Sequence, residues 1–151
     1  FAVDHDRRAD FSGYKTYAWT TALSEKQWEK AQREDLMIRR VVEQVDQVLA
    51  ARGYRKAAGT ADFLVAFTPL MRSRTYTTGY GHHGWTSLET RRVREAGLQL
   101  DILDGASRKV VWTGLAGGGF GGRLEPAEAE ARVAEAVKGL LDRFPPQAGP
   151  R

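Results

Sequence analysis

His82 and His83, held between Gly81 and Gly84, are the residues whose type first invites a chemical reading, because neutral imidazole is a common transition-metal ligand. Their spacing argues against it. Adjacent residues of an extended chain point to opposite sides, no HxH, HxxH or HExxH pattern occurs, and the third histidine, His5, stands far away in sequence. Asp101 and Asp104 could be a carboxylate pair for acid–base work, but Asp101 falls at an outward strand position and Asp104 in a turn, where capping and solvated roles are ordinary. Ser87 and Ser107 are candidate nucleophiles with no base placed beside them by sequence. Gly117 to Gly122 (GGGFGG) offers amides to an anion, yet has neither the GxxxxGK[ST] order nor a GxGxxG fingerprint. The expectation is therefore no catalytic residue, no cofactor, no metal and no enzyme.

A sharper constellation lies between Arg72 and Arg94. Arg72, Arg74, Tyr76, Tyr80, Trp85 and Arg92 combine guanidinium groups with large rings, and Arg91 and Arg94 extend the set. Arginine pairs with carboxylates and phosphates, while aromatic rings stack on bases, sugars and protein surfaces. These six residues are the candidate partner contacts. The strand-forming threonines and tyrosines around them, the preceding Pro69 and the glycines at 79, 81 and 84 predict a projecting hairpin or loop instead of a core layer.

The elements that must position this segment are legible from periodicity. Leu98, Leu100 and Ile102 alternate with Gln99 and Asp101, and after the turn-rich Asp104 to Ser107 comes the β-branched and aromatic run Val110, Val111, Trp112, Thr113, so 97–116 reads as a hairpin. Residues 1–6 read as a strand with Phe1 and Val3 on its buried face, and 14–20 as a second, with Lys15, Tyr17 and Trp19 opposite Tyr14, Thr16 and Ala18. Residues 21–33 show no clean period and read as a loop or weak helix. From Asp35, Ile38, Val41, Val42, Val45, Val48 and Leu49 recur at helical spacing, and Gly53 suits the left-handed cap that stops the helix. Ala61 to Phe67 is apolar on both faces and belongs in mid-sheet. Residues 79–85 read as a loop. Pro126 opens a second long helix whose stripe is Val133, Val137, Leu140, Leu141 and Phe144, ended by Pro145 and Pro146; residues 147–151 are expected to fray. The fold class is α+β: a single mixed or antiparallel sheet of about five to six strands, with two long helices on one face.

Composition bounds what such a domain can be. A chain of 151 residues suits one core, and the absence of cysteine excludes disulfides and thiolate chemistry. The net charge of +4 comes from 23 basic residues dispersed among 19 acidic ones, which reads as solubility more than as a nucleic-acid footprint. No apolar run is long enough to cross a membrane. The chain opens on Phe1 without a methionine, so any export signal or lipid anchor is expected upstream of it.

The order of landmarks resembles a known family. Val3-Asp4-His5-Asp6, the block from Asp10-Phe11-Ser12-Gly13 through Tyr14-Lys15-Thr16-Tyr17-Ala18-Trp19, the Ala61–Phe67 strand, the Asp101–Asp104 and Lys109–Trp112 hairpin and the closing Phe144-Pro145-Pro146 look like bacterial DUF4136 domains. The resemblance implies a single domain over residues 1–146, located in the bacterial cell envelope on the periplasmic side, exported and in some members lipid-anchored, with no agreed activity and no catalytic residues to carry over. The reading it favours is a non-catalytic module that binds a protein or an envelope polymer, with no nucleic-acid partner and with membrane attachment only through an upstream anchor. Two other classes compete. A hydrolase-like enzyme with a site near the Gly117–Gly122 loop needs a deep pocket with convergent polar groups, and a nucleic-acid binder using the basic aromatic 72–94 segment needs strongly salt-dependent affinity.

Overall fold

Alternation along each strand decides which side is buried, and one face of the sheet is buried across its four central strands. The computed structural model describes the backbone of residues 1–82, 85–117 and 125–146, and the side chains of these except 71–96. The strands are β1 (Ala2–His5), β2 (Thr16–Trp19), β3 (Arg55–Lys56), β4 (Phe63–His82), β5 (Trp85–Asp104) and β6 (Val110–Gly117); the helices are α1 (Glu25–Glu34), α2 (Leu36–Ala51) and α3 (Pro126–Leu141). The six strands form one mixed sheet in the order β1-β6-β5-β4-β2-β3. The pairs β1–β6, β6–β5 and β5–β4 are antiparallel, whereas β4–β2 and β2–β3 are parallel. The expected α+β class, with two long helices on one mixed sheet, holds.

One face of this sheet presents Tyr17, Phe63, Val65, Leu98, Leu100, Ile102, Trp112 and Ala116 to Val41, Val45 and Leu49 of α2 and to Val133, Val137, Leu140 and Leu141 of α3, in a single apolar cluster. Valine is a poor helix former, so α2 holds its shape through this packing rather than by propensity. Phe144, just past α3, is 1% exposed. Its ring centroid lies 5.9 Å from that of Phe11, 6.0 Å from Tyr54, 5.5 Å from Phe63 and 5.6 Å from Trp112. Arg52, which caps α2, fixes the same corner by donating to the carbonyl of Phe144 at 2.8 Å, to that of Leu141, and to the Asp142 carboxylate at 2.7 Å.

Several local expectations are corrected. Residues 25–34 are a helix, started by a capping box in which Ser24 accepts from the Gln27 amide and Gln27 reaches back to the Ser24 amide. Phe1 is 64% exposed, with its ring under the Arg143 guanidinium, so only Val3 of β1 packs against the core. Leu64 stands on the face opposite Phe63 and Val65, outside the helix-packed cluster, as a strand expected to be apolar on both faces requires. The region expected as a loop over 79–85 is strand up to His82 and again from Trp85. Residues 118–124, which include the glycine loop, and the tail 147–151 lie outside the described residues, as do His83 and Gly84. Gly53 has the expected left-handed backbone, at φ 91°.

Candidate functional site

The two 20-residue strands β4 and β5 are paired along their whole length, from Phe63 opposite Asp104 to His82 opposite Trp85. Their neighbours are far shorter. β2 accompanies β4 only at Phe63–Val65, with one last bond from the Thr20 amide to the Val65 carbonyl at 2.9 Å, and β6 accompanies β5 only at Gly97–Leu103. Beyond these points β4 and β5 continue as a two-stranded ribbon, and among the described residues no strand pairs with its outer edges. From Leu70 opposite Gly97 to the outermost pair it reaches about 40 Å, at ~3.3 Å per residue.

Pro69 explains how a central strand becomes an edge. Alternate residues of a strand aim their backbone groups to the same side, so Pro69 shares the direction of Val65, whose carbonyl meets β2. Its missing N–H therefore falls on the side where β2 has already ended. The ladder to β5, in which Pro69 stands opposite Leu98, is undisturbed.

The register shows which of the six predicted contact residues come together. Alternate positions of a strand share a face, and Arg72, Arg74, Tyr76 and Tyr80 fall at one parity, joined across the ribbon by Trp85 opposite His82 and by Arg91 opposite Tyr76. Arg92, opposite Thr75, falls at the other parity and is separated from the set. The side chains of all these residues lie outside the described ones. Between Ala66 and Gly97 the sequence holds five arginines, no lysine and two glutamates, so this stretch, about a fifth of the chain, carries +3 of the net charge of +4.

The candidates for chemistry are dispersed or occupied. Asp101 accepts the Thr113 hydroxyl at 2.5 Å and the Gln99 amide at 2.9 Å on the sheet face away from the helices. Asp104 is instead bound into the β5–β6 turn, accepting the amides of Ala106 at 3.2 Å and Ser107 at 2.9 Å and the Tyr14 hydroxyl at 2.8 Å. Those bonds, the Ser107 amide foremost, hold its pKa below the ordinary carboxylate value, whereas burial and the Asp104 carboxylate push the Tyr14 phenol up. The carboxylate pair is thus two separate structural groups. Ser107 accepts the Lys109 amide at 3.3 Å, and Ser87, opposite Tyr80, is described only by its backbone. Among the described residues no three of His, Cys, Asp or Glu converge as a metal site requires.

A shallow groove of about 250 Å³ runs along the β1–β6 edge between Asp4, His5, Asp6 and Val110–Thr113. Asp4 there accepts the His5 amide at 2.9 Å within β1, and Asp6 accepts that of Arg8 at 2.9 Å in the turn that follows, so both carboxylates make local backbone bonds. Sequence reasoning missed one polar hub. Asp46 of α2 accepts the Tyr17 hydroxyl at 2.7 Å and the Trp19 indole at 3.0 Å and pairs with Lys56 at 2.8 Å, which ties α2 to β2 and β3. Its place at a polar position beside the Val42–Val45 stripe was the available signal.

Comparison with known proteins bears on the fold. The family model described as Domain of unknown function (DUF4136) matches residues 1–146. No curated protein sequence matches the chain. Among solved structures, a PDZ domain protein from Parabacteroides distasonis superposes with a TM-score of 0.61 at 13% identity, over 99% of this chain and 36% of that one. This chain thus spans about a third of that protein's length. The PelC dodecamer from Paraburkholderia phytofirmans gives a TM-score of 0.50 at 14% identity, over 97% of this chain and 99% of that one. A minor lipoprotein from Acinetobacter baumannii gives 0.43 at 8% identity, over 87% and 92%. For the first two, at 13% and 14% identity, the likeness is one of fold.

Proposed function

The chain belongs to the DUF4136 family, and from that premise we propose that it is a non-catalytic module of the bacterial cell envelope, exported to the periplasmic side, that binds a partner through the β4–β5 ribbon. The observation that carries the recognition reading is the departure of two long strands from the sheet with both outer edges unpaired among the described residues. An edge of this kind is a liability unless it is short, guarded or used. Pro69 guards only its root, and an isolated two-stranded hairpin is marginal in water, so a ribbon this long makes sense as a surface completed by a partner in the envelope. What supports a non-catalytic role is that Asp101, Asp104 and Ser107 are each engaged in local structural bonds. What supports the envelope location is membership of a family whose resemblance implies exported proteins.

The test follows from the register. Because Leu70 stands opposite Gly97, residues 71–96 can be replaced by a two-residue Asn-Gly turn without moving the sheet. The shortened protein should melt within about 2 °C of the parent, since the described core lies outside the excised residues, and should lose every partner that the parent crosslinks in the envelope of its own cells. Fractionation of the natural precursor should place it outside the cytoplasm. Unaltered crosslinking by the shortened protein, or a cytoplasmic precursor, would overturn the reading.

A further inference from the structure

Taking the ribbon as the recognition surface, as the preceding reading does, we propose that the surface it docks on is an anionic phospholipid bilayer. The sequence is zoned along the register. Five consecutive cross-strand pairs, from Arg72 opposite Glu95 to Tyr76 opposite Arg91, contain all five arginines of the ribbon. The four outermost pairs, from Gly79 opposite Leu88 to His82 opposite Trp85, contain no charged residue and hold Tyr80, Trp85 and Leu88. A basic belt followed, about 10 Å further out, by uncharged aromatic residues is the order in which a bilayer presents its layers. Anionic headgroups attract arginine at the surface, and the amphipathic rings of Trp and Tyr settle at headgroup level beneath it.

Other occupants fit less well. A second copy docking ribbon on ribbon would set +3 against +3. An acidic polysaccharide matches arginines and rings, but gives no reason for the two to be separated along the axis. The ribbon does not cross the bilayer, because unpaired strand edges are too costly in hydrocarbon. It lies at the interface, where headgroups and water satisfy its backbone. The arginine-only basicity is consistent with phosphate as the partner, since a guanidinium binds phosphate oxygens two at a time.

The experiment is sedimentation of the whole chain with vesicles of phosphatidylcholine mixed with phosphatidylglycerol, and of phosphatidylcholine alone. The parent should sediment with the first and not the second, and added salt should release it. Changing Arg72, Arg74, Arg91, Arg92 and Arg94 to Gln should weaken binding by about a hundredfold or more. Changing the α1 residues Lys26, Lys30 and Arg33 to Gln should leave it within about threefold, which separates a local surface from net charge. Binding that ignores phosphatidylglycerol, or survives the five-arginine change, or falls equally with the α1 change, overturns the proposal. If a soluble acidic polysaccharide binds and vesicles do not, the lipid partner is refuted while the recognition reading stands. That reading falls separately, if the protein lacking residues 71–96 still crosslinks the parent's partners.

Discussion

Replacing Phe144 by alanine is the most decisive perturbation of the core, because this ring touches elements from both ends of the chain. It is fully buried and meets Phe11, Tyr54, Phe63 and Trp112, which belong to the first loop, the residue before β3, the root of β4 and β6. Truncation of a buried phenylalanine costs about 3–5 kcal/mol, part for transfer and part for the cavity left behind. Edge-to-face ring pairs contribute beyond their area, so the upper half of that range is expected here. At about 2–4 °C per kcal/mol for a domain of this size, ~4 kcal/mol lowers the melting temperature by about 8–16 °C. Urea titration should show the midpoint fall with an unchanged slope, while Leu115→Ala, on an exposed side chain of β6, stays within about 0.5 kcal/mol. A loss below about 1 kcal/mol for Phe144→Ala would refute the claim that this corner closes the core.

Two further perturbations test the sheet's margins. Gly105→Ala should destabilise by about 1–3 kcal/mol, because a Cβ there would collide with the carbonyl oxygen of Ala61 and come within 2.8 Å of that of Asp62, both backbone; a chemical melt equal to the parent's would show that the β5–β6 turn does not dock on the root of β4. Tyr14 and Tyr17 have phenols pushed above their ordinary range, first by burial and then by hydrogen bonds to Asp104 and Asp46. The folded state therefore keeps protons that the unfolded state releases, and stability is full below pH ~10 and falls as pH rises beyond it. Urea melts between about pH 9 and 11 should show this decline, reduced in Tyr17→Phe; a flat profile would contradict the buried hydrogen bonds.

Where one periodicity dominated, the sequence was readable. The stripe Val41, Val45, Leu49 and the alternation Leu98, Leu100, Ile102 each have one buried side, and both are found facing the same cluster. Asp104 to Ser107 carries its own turn chemistry, and the hairpin of β5 and β6 follows from it. The misses have physical causes. α1 has few apolar residues and is held by local capping and the Trp19–Trp28 contact at 6.0 Å, so its signal lay in Ser24 and Gln27 rather than in a stripe. β3 is two residues long and exists only because β2 offers it an edge. Pro69 argued against a continuous β4, since sequence shows that a donor is missing but not toward which side. Of the proposed contact residues, composition singled out a segment that the register extends as a two-stranded ribbon, while the separation of Arg92 from Tyr76 and Trp85 depended on a register that composition cannot supply.

A strand pair held only by itself is also a ruler that can be recut. From Met71 opposite Ala96 outward, each backbone position pairs only with its opposite number among the described residues, so the number of pairs sets the reach. Removing one residue from each strand would shorten the reach by about 3.3 Å and turn every residue beyond the cut to the other face; removing two would restore the faces and draw the end in by about 7 Å. Length and facing are thus locked together in two-residue steps. A lineage, or a designer, can set how far this domain extends from its own body while leaving the helix-packed cluster where it is, provided the changes come in matched pairs of pairs.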